Sequence, residues 1–182
     1  MLRITSGIVK NKKLNTPNIE GFRAVQEVAK LAIFAILGEK VADAECLDLF
    51  AGSGNLGLEA LSRGASWCDF VDENYEARKT LFENIKKCGF EDKSEVHLME
   101  AVKYVGNTSK KYDVIFVDPF YKDTSHKFLV KNLAEIIKSD GVIFFLHGNE
   151  LDMTLLTQST PLQILSQRRY GKSSLSVLSL LG

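Results

Sequence analysis

The segment from Tyr112 to Tyr121 sets Asp118-Pro119-Phe120-Tyr121 directly after YDVIFV, an apolar run that reads as a buried strand. An exocyclic base amine is a poor nucleophile, because its lone pair is delocalised into the ring. A carboxylate at Asp118 and a carbonyl at Pro119 would make an acceptor pair for both N–H groups of such an amine. That pairing favours a pyramidal nitrogen and frees the lone pair for attack. Tyr121 adds a ring able to stack on a base face. A structural turn after a core strand is the competing reading of these four residues.

A second group lies upstream. Leu47-Asp48-Leu49-Phe50-Ala51-Gly52-Ser53-Gly54-Asn55-Leu56-Gly57 carries G-x-G-x-x-G at Gly52, Gly54 and Gly57, between a strand and a helix. Glycines there let the backbone turn tightly and let a ligand approach it closely. Asp72 ends the next strand, at the place where a carboxylate accepts hydrogen bonds from ribose hydroxyls. The pattern implies a nucleoside cofactor, against the alternative of a merely tight strand–helix turn. A dinucleotide would set its pyrophosphate on the helix N-terminus. Asp48 is unwelcome beside a pyrophosphate but useful near a cationic amino-acid cofactor. Glu100 follows the third strand and could accept from an adenine amine; a solvated surface glutamate is its alternative.

These residues need a scaffold that brings strand ends together. Strands are expected at 46–50, 68–71, 95–98, 112–117 and 142–146, alternating with helices at 55–63, 75–88, 101–105 and 126–138. Such alternation implies a mostly parallel sheet covered on both faces, with ligands beyond the carboxyl ends of the strands. Residues 161–168 and 174–180 then read as an antiparallel hairpin at the sheet edge. Ahead of the core, residues 2–14 read as two short strands around Ser6-Gly7, and 15–22 as a loop. Residues 24–37 read as a helix, with Val25, Val28, Leu31, Ala32, Ala35 and Ile36 as its apolar positions.

The 182 residues, 45% hydrophobic and 25% charged, fit one soluble domain, 1–182, that buries its core without disulfides. No apolar run of about 18 residues suggests a membrane span, and MLRITSGIVKNKKL lacks a signal-peptide core. Cys46, Cys68 and Cys88 are odd in number and read as reduced thiols of a cytoplasmic protein, two of them on buried strands. His97, His126 and His147 are far apart in sequence, and no metal site is expected. Net charge is zero, yet residues 1–23 hold Arg3, Lys10, Lys12, Lys13 and Arg23 against Glu20 alone. Arg168, Arg169 and Lys172 form a second basic cluster. Two basic patches on a neutral body suit phosphate contact, with ordinary solvated side chains as the alternative. No association signal is visible, so a monomer is the default.

LDLFAGSGNLGLEALSRGA, FVDENYEA, DVIFVDPFY and RRYGKSSLSVL, with RITSGIVKNKKLNTP at the start, resemble the bacterial RsmD-type methyltransferases across nearly the whole chain. That resemblance implies a Rossmann-like class I methyltransferase fold: a seven-stranded, mostly parallel α/β sheet with an antiparallel C-terminal hairpin, plus an N-terminal β-hairpin and helix. It implies S-adenosyl-L-methionine as cofactor and, as acceptor, guanine N2 in 16S ribosomal RNA, within the small subunit or an assembly intermediate. It also implies cofactor contacts at Asp48, Gly52, Gly54, Asp72 and Glu100, with Phe50 and Asp118 counted among them. Asp118 and Pro119 would hold the amine, and Tyr121 the flipped base. The basic residues Arg3, Lys10, Lys12, Lys13, Arg23, Arg168, Arg169 and Lys172 would grip RNA phosphates. The sequence departs from the family at Phe120, where a second proline is usual, and at Arg23-Ala24-Val25, where Arg-Pro-Thr is usual. An adenine-N6 methyltransferase, a protein-amide methyltransferase and an NAD-dependent oxidoreductase are the alternative activities.

Overall fold

The computed structural model describes residues 2–22, 25–119 and 126–182. Helix α1 (Glu27–Leu37) precedes an alternation of strands and helices: β1 (Glu45–Leu49), α2 (Asn55–Ser62), β2 (Trp67–Asp72), α3 (Tyr75–Cys88), β3 (Ser94–Leu98), α4 (Ala101–Asn107), β4 (Tyr112–Val117), α5 (His126–Ile136) and β5 (Ile137–Gly148). A short helix α6 (Met153–Thr157) and the strands β6 (Leu162–Tyr170) and β7 (Ser173–Leu180) follow. The seven strands form one sheet in the order β3-β2-β1-β4-β5-β7-β6. Strands β1 to β5 pair in parallel, while β7 is antiparallel to both β5 and β6. The expected seven-stranded, mostly parallel sheet and its antiparallel C-terminal hairpin are therefore present, and α6 is an element that sequence periodicity did not reveal.

Alternation along each strand divides the core between two faces. Cys46, Val114, Phe116 and Phe144 pack toward α1, α2 and α3. Leu47, Ile115, Val117 and Phe145 pack toward α4, α5 and α6. The chain reverses direction across the sheet between β1 and β4, which opens a crevice beyond the carboxyl ends of those two strands. Cys46 and Cys68 lie buried on β1 and β2 as expected, and Cys88 is buried at the end of α3. Among the described residues, no helix is long and apolar enough to cross a membrane.

Two expectations for the N-terminal region need correction. Residues 2–14 close only one β-bridge, between Arg3 and Lys13, rather than a two-stranded ladder. The reason lies in α2. Glu59 accepts the backbone N–H groups of Thr5 (2.8 Å) and Ser6 (3.1 Å), and Ser62 accepts from Ile8 (2.8 Å) and Val9 (3.2 Å). Donors that would build a hairpin are thus used in docking the loop. Gly7 makes this docking feasible: its φ is +84°, and a Cβ would fall 1.8 Å from the Ser62 carbonyl oxygen.

The inner face of α1 is also different from the expected one. Val28 (53% exposed) and Leu31 (46%) face outward, whereas Ala29, Lys30, Ile33, Phe34 and Leu37 are buried. An apolar majority around the whole helix leaves periodicity unable to choose a face. Lys30 chooses it. Its ammonium reaches the Arg3 carbonyl (2.6 Å), Asn55 Oδ1 (2.8 Å) and the Glu59 carboxylate (3.1 Å), all inside the fold.

Candidate active site

The turn after β1 is built from unusual backbone. Phe50 (φ +60°), Gly52 (+56°) and Gly54 (+78°) adopt left-handed conformations in quick succession. A residue with a Cβ pays roughly 1–2 kcal/mol there, so Phe50 is locally strained while the glycines are not. The turn delivers α2 with its N-terminus toward the crevice. Gly57 sits in the first turn of that helix, and its own N–H is one of those without an intrahelical partner. Asp48, 2% exposed, accepts that N–H at 2.8 Å. Gly57 also fixes the packing: a Cβ would lie 2.3 Å from the Phe70 ring and 2.6 Å from Cys68 Sγ.

Asp72 braces the loop from the neighbouring strand. Its Oδ2 accepts the Gly52 N–H at 2.9 Å and its Oδ1 accepts the Asn74 N–H at 2.9 Å. Asn74 in turn caps α3, accepting from Glu76 (2.9 Å) and Ala77 (3.2 Å). Phe22 closes over the loop from the N-terminal segment; a Cβ on Gly52 would meet its ring at 2.9 Å.

One cavity joins these pieces. Asp48, Phe50, Gly52, Asp72, Asp118 and Pro119 all line it. The sequence-predicted acceptor pair at the end of β4 and most of the predicted cofactor residues are thus brought together. Gly54 stands just behind the wall, its α-carbon facing Leu81, where a Cβ would come within 2.4 Å. Glu100 is not in the lining; half-exposed at the start of α4, it pairs with Lys103 at 2.6 Å. Tyr121 and Phe120, like Arg23, lie outside the described residues.

The electrostatics of the cavity are one-sided. Its lining holds three carboxylates, Asp48, Asp72 and Asp118, and no lysine, arginine or histidine among the described residues. Burial pushes Asp48 well above the usual carboxylate range despite the Gly57 hydrogen bond, and the charges of Asp118 and Asp72 push it further. Burial also raises Asp72, against the two backbone N–H groups that favour its ionised form. Such a lining suits a cationic ligand and opposes a pyrophosphate.

Sequence reasoning missed several lining residues. Ile19, Phe22 and Gln26 come from the loop and helix before the glycine motif, and Tyr170 and Ser173 from the β6–β7 hairpin. No local pattern marks the first three. Tyr170 stood in plain view within RRYGK, hidden by its basic neighbours.

The predicted phosphate-gripping residues belong to separate elements. Lys10, Lys12 and Lys13 are exposed on the loop held at Ser62, the last residue of α2. Arg3 pairs with Glu27 at 3.2 Å. Arg168, Arg169 and Lys172 are exposed on the hairpin whose Tyr170 and Ser173 line the cavity. Away from the cavity, pairing of β2 with β3 brings His97 to Asp69 and Glu95, with ligand-type atoms within 4.8 Å of one another. Lys110 already places its ammonium 3.0 Å from Asp69 and 3.6 Å from Glu95 in that group.

Comparison with known proteins agrees with the geometry. Residues 2–179 match the family described as Conserved hypothetical protein 95. The chain is 32% identical over 142 residues to ribosomal RNA small subunit methyltransferase D of Escherichia coli K12, covering 77% of this chain and 68% of that protein. The solved Haemophilus influenzae protein HI0767 superposes with a TM-score of 0.82 at 25% identity, covering 100% of this chain and 99% of that one. A Thermus thermophilus protein shares the fold with a TM-score of 0.83 at 23% identity, covering 99% and 100%. The family match over nearly the full length, on a sheet that ends Asp118-Pro119 in the same cavity as the glycine loop, makes this chain a member of the RsmD-type methyltransferase family.

Proposed function

We propose that the protein transfers a methyl group from S-adenosylmethionine to the exocyclic N2 amine of a guanine in small-subunit ribosomal RNA, within the subunit or an assembly intermediate. The observation that carries this reading is the shared cavity of Asp118 and Pro119 with Asp48, Gly52 and Asp72. Three carboxylates, with no lysine, arginine or histidine beside them among the described lining residues, suit the ammonium and sulfonium charges of that cofactor. They disfavour NAD, whose pyrophosphate would meet the same acids unpaired.

The cofactor supplies an electrophilic methyl group. Every other task falls to the chain. Gly52 lets the backbone approach a nucleoside, and Asp72 offers its remaining lone pairs to ribose hydroxyls while its N–H contacts keep it fixed. The Asp118 carboxylate and the Pro119 carbonyl hold the two amine N–H groups and aim the nitrogen lone pair. Alignment and preorganised electrostatics provide the rate. Asp118 need not be a strong base, because the amine becomes acidic as it gains positive charge, and its proton can leave afterwards.

The guanine leaves its stack to enter the cavity, at a cost of a few kcal/mol. Basic side chains on the loop and hairpin contact phosphates and set position without reading sequence. The test is methyl transfer from labelled S-adenosylmethionine to small subunits from cells lacking the gene, read by nucleoside mass spectrometry. N2-methylguanosine is expected. N6-methyladenosine or a methylated protein amide would replace this acceptor with one of the alternatives.

A further inference from the structure

We infer that Tyr170 is the stacking platform of the acceptor-base subsite, a role that rests on the methyl-transfer reading above. The cavity lining sorts by strand along the order β3-β2-β1-β4-β5-β7-β6. Asp72 closes β2 and Asp48 lies on β1, so the cofactor half occupies one side of β4. Asp118 and Pro119 follow β4 itself. Leu146 on β5, Ser173 on β7 and Tyr170 on β6 line the opposite side.

Methyl transfer requires nucleophile and leaving group on opposite sides of the migrating carbon. An amine nitrogen held at Asp118 and Pro119, with the cofactor over β1 and β2, must therefore carry its ring toward β5, β7 and β6. Neighbouring strands are about 4.8 Å apart, so three strand spacings separate β4 from β6 along the order β4-β5-β7-β6. Tyr170 is the aromatic residue the described chain places there.

Tyr170 is half-buried and packs against the core beneath α1 to α3, which sets its ring rather than leaving it loose. The adjoining turn carries Gly171 at φ +63°, and Arg168, Arg169 and Lys172 flank it in the open. A nucleotide whose phosphates meet these cations would have its base beside Tyr170. A base has two faces, so this role stands beside the one the family resemblance gives Tyr121. Plain hydrophobic packing is the rival role, and the substitutions below separate the two.

The test compares Tyr170→Phe, Tyr170→Leu and the unsubstituted protein on small subunits from cells lacking the gene, with S-adenosylhomocysteine binding measured in parallel. Phenylalanine keeps a π face, and leucine keeps apolar bulk without one. Tyr170→Phe is expected to retain activity. Tyr170→Leu is expected to lose about tenfold or more in kcat/KM for the subunit, the size of one base–aromatic stack, with cofactor affinity unchanged. Leucine matching phenylalanine would return Tyr170 to core packing and overturn the inference. Loss of cofactor affinity in step with RNA turnover would place the ring on the cofactor side and overturn it as well. Absence of RNA methylation by the unsubstituted protein would instead remove the underlying reading, and the inference with it.

Discussion

Lys30 and Glu59 form an ion pair at 3.1 Å with side chains 2% and 0% exposed, and this pair fastens the N-terminal loop to α1 and α2. Glu59 also accepts from Thr5, Ser6 and Arg63. Burial alone would raise its pKa, but these donors and the Lys30 charge outweigh burial and hold it below its ordinary value.

Glu59→Gln is therefore expected to destabilise the fold by about 3–5 kcal/mol, because it leaves a buried ammonium without its counter-charge. Denaturant unfolding measures this. A Lys30→Met/Glu59→Met double variant should recover only part of the loss, since it removes the desolvation cost of both charges but leaves the Thr5 and Ser6 N–H groups and Arg63 without their acceptor. The pH dependence has a definite sign. A carboxylate with a depressed folded pKa stabilises above its unfolded value of about 4.3 and loses that contribution as pH falls through the folded value. The unsubstituted protein should show this loss on acidification, and Glu59→Gln should lack its Glu59 component.

Sheet and cavity were legible in the sequence to different depths. Strands β1, β2 and β4 are short, largely buried runs bounded by turn residues, whereas β3 (SEVHL) is mostly polar and was placed by its position in the strand–helix alternation. The β1 turn was legible because Gly52, Gly54 and Gly57 each answer a separate steric demand. The face of α1 was not, because Val28, Leu31 and Ile36 look as buriable as Ile33 and Phe34. Only the three-dimensional acceptors of Lys30 decide between the two faces. Position after β3 leaves Glu100 open to two readings, an acceptor for an adenine amine or a solvated glutamate; in the structure it pairs with Lys103, one helical turn on, at the surface. Tyr170 needed the antiparallel return of β6 along β7, which carries a residue far along the chain back to the β4 end.

Asp118→Ala should leave S-adenosylhomocysteine affinity within a few-fold of the unsubstituted protein and abolish most methyl transfer. Loss of one preorganised hydrogen-bonding group at a reacting centre costs on the order of 10²–10³ in rate. Single-turnover assays on small subunits, with cofactor binding by calorimetry, separate the two effects. Near-normal turnover would remove Asp118 from the acceptor pair.

Charge reversal at Lys12 and Lys13 should weaken RNA binding and flatten its salt dependence, with cofactor binding untouched. Each lost phosphate contact reduces the slope of log K against log salt by roughly 0.7–0.9. Both side chains are exposed on the docked loop, and neither makes an ion pair among the described residues, so the fold should tolerate the change. A salt titration that superposes on the unsubstituted protein would make them ordinary solvated lysines.

Cofactor binding should strengthen as pH rises and should release protons. Asp48 and Asp72 both have raised folded pKa values, with burial as the first cause and, at Asp48, the neighbouring carboxylate charges adding to it. Ionising such groups costs stability in the free protein: the fold is relatively favoured below the unfolded carboxylate value of about 3.9, and that advantage is lost as pH rises through the raised folded values. A bound cation favours the ionised carboxylates, so it pulls those pKa values down and expels whatever protons they still hold. Calorimetric titrations from about pH 5 to pH 8, in buffers of different ionisation enthalpy, count the protons directly. S-adenosylmethionine should release more than S-adenosylhomocysteine, because it alone carries the sulfonium charge. Equal release by the two would mean that the carboxylates answer to the ammonium group instead. A pH-independent affinity with no proton release would show that Asp48 and Asp72 are already ionised in the free protein, and that their acidity is not what selects a cationic ligand.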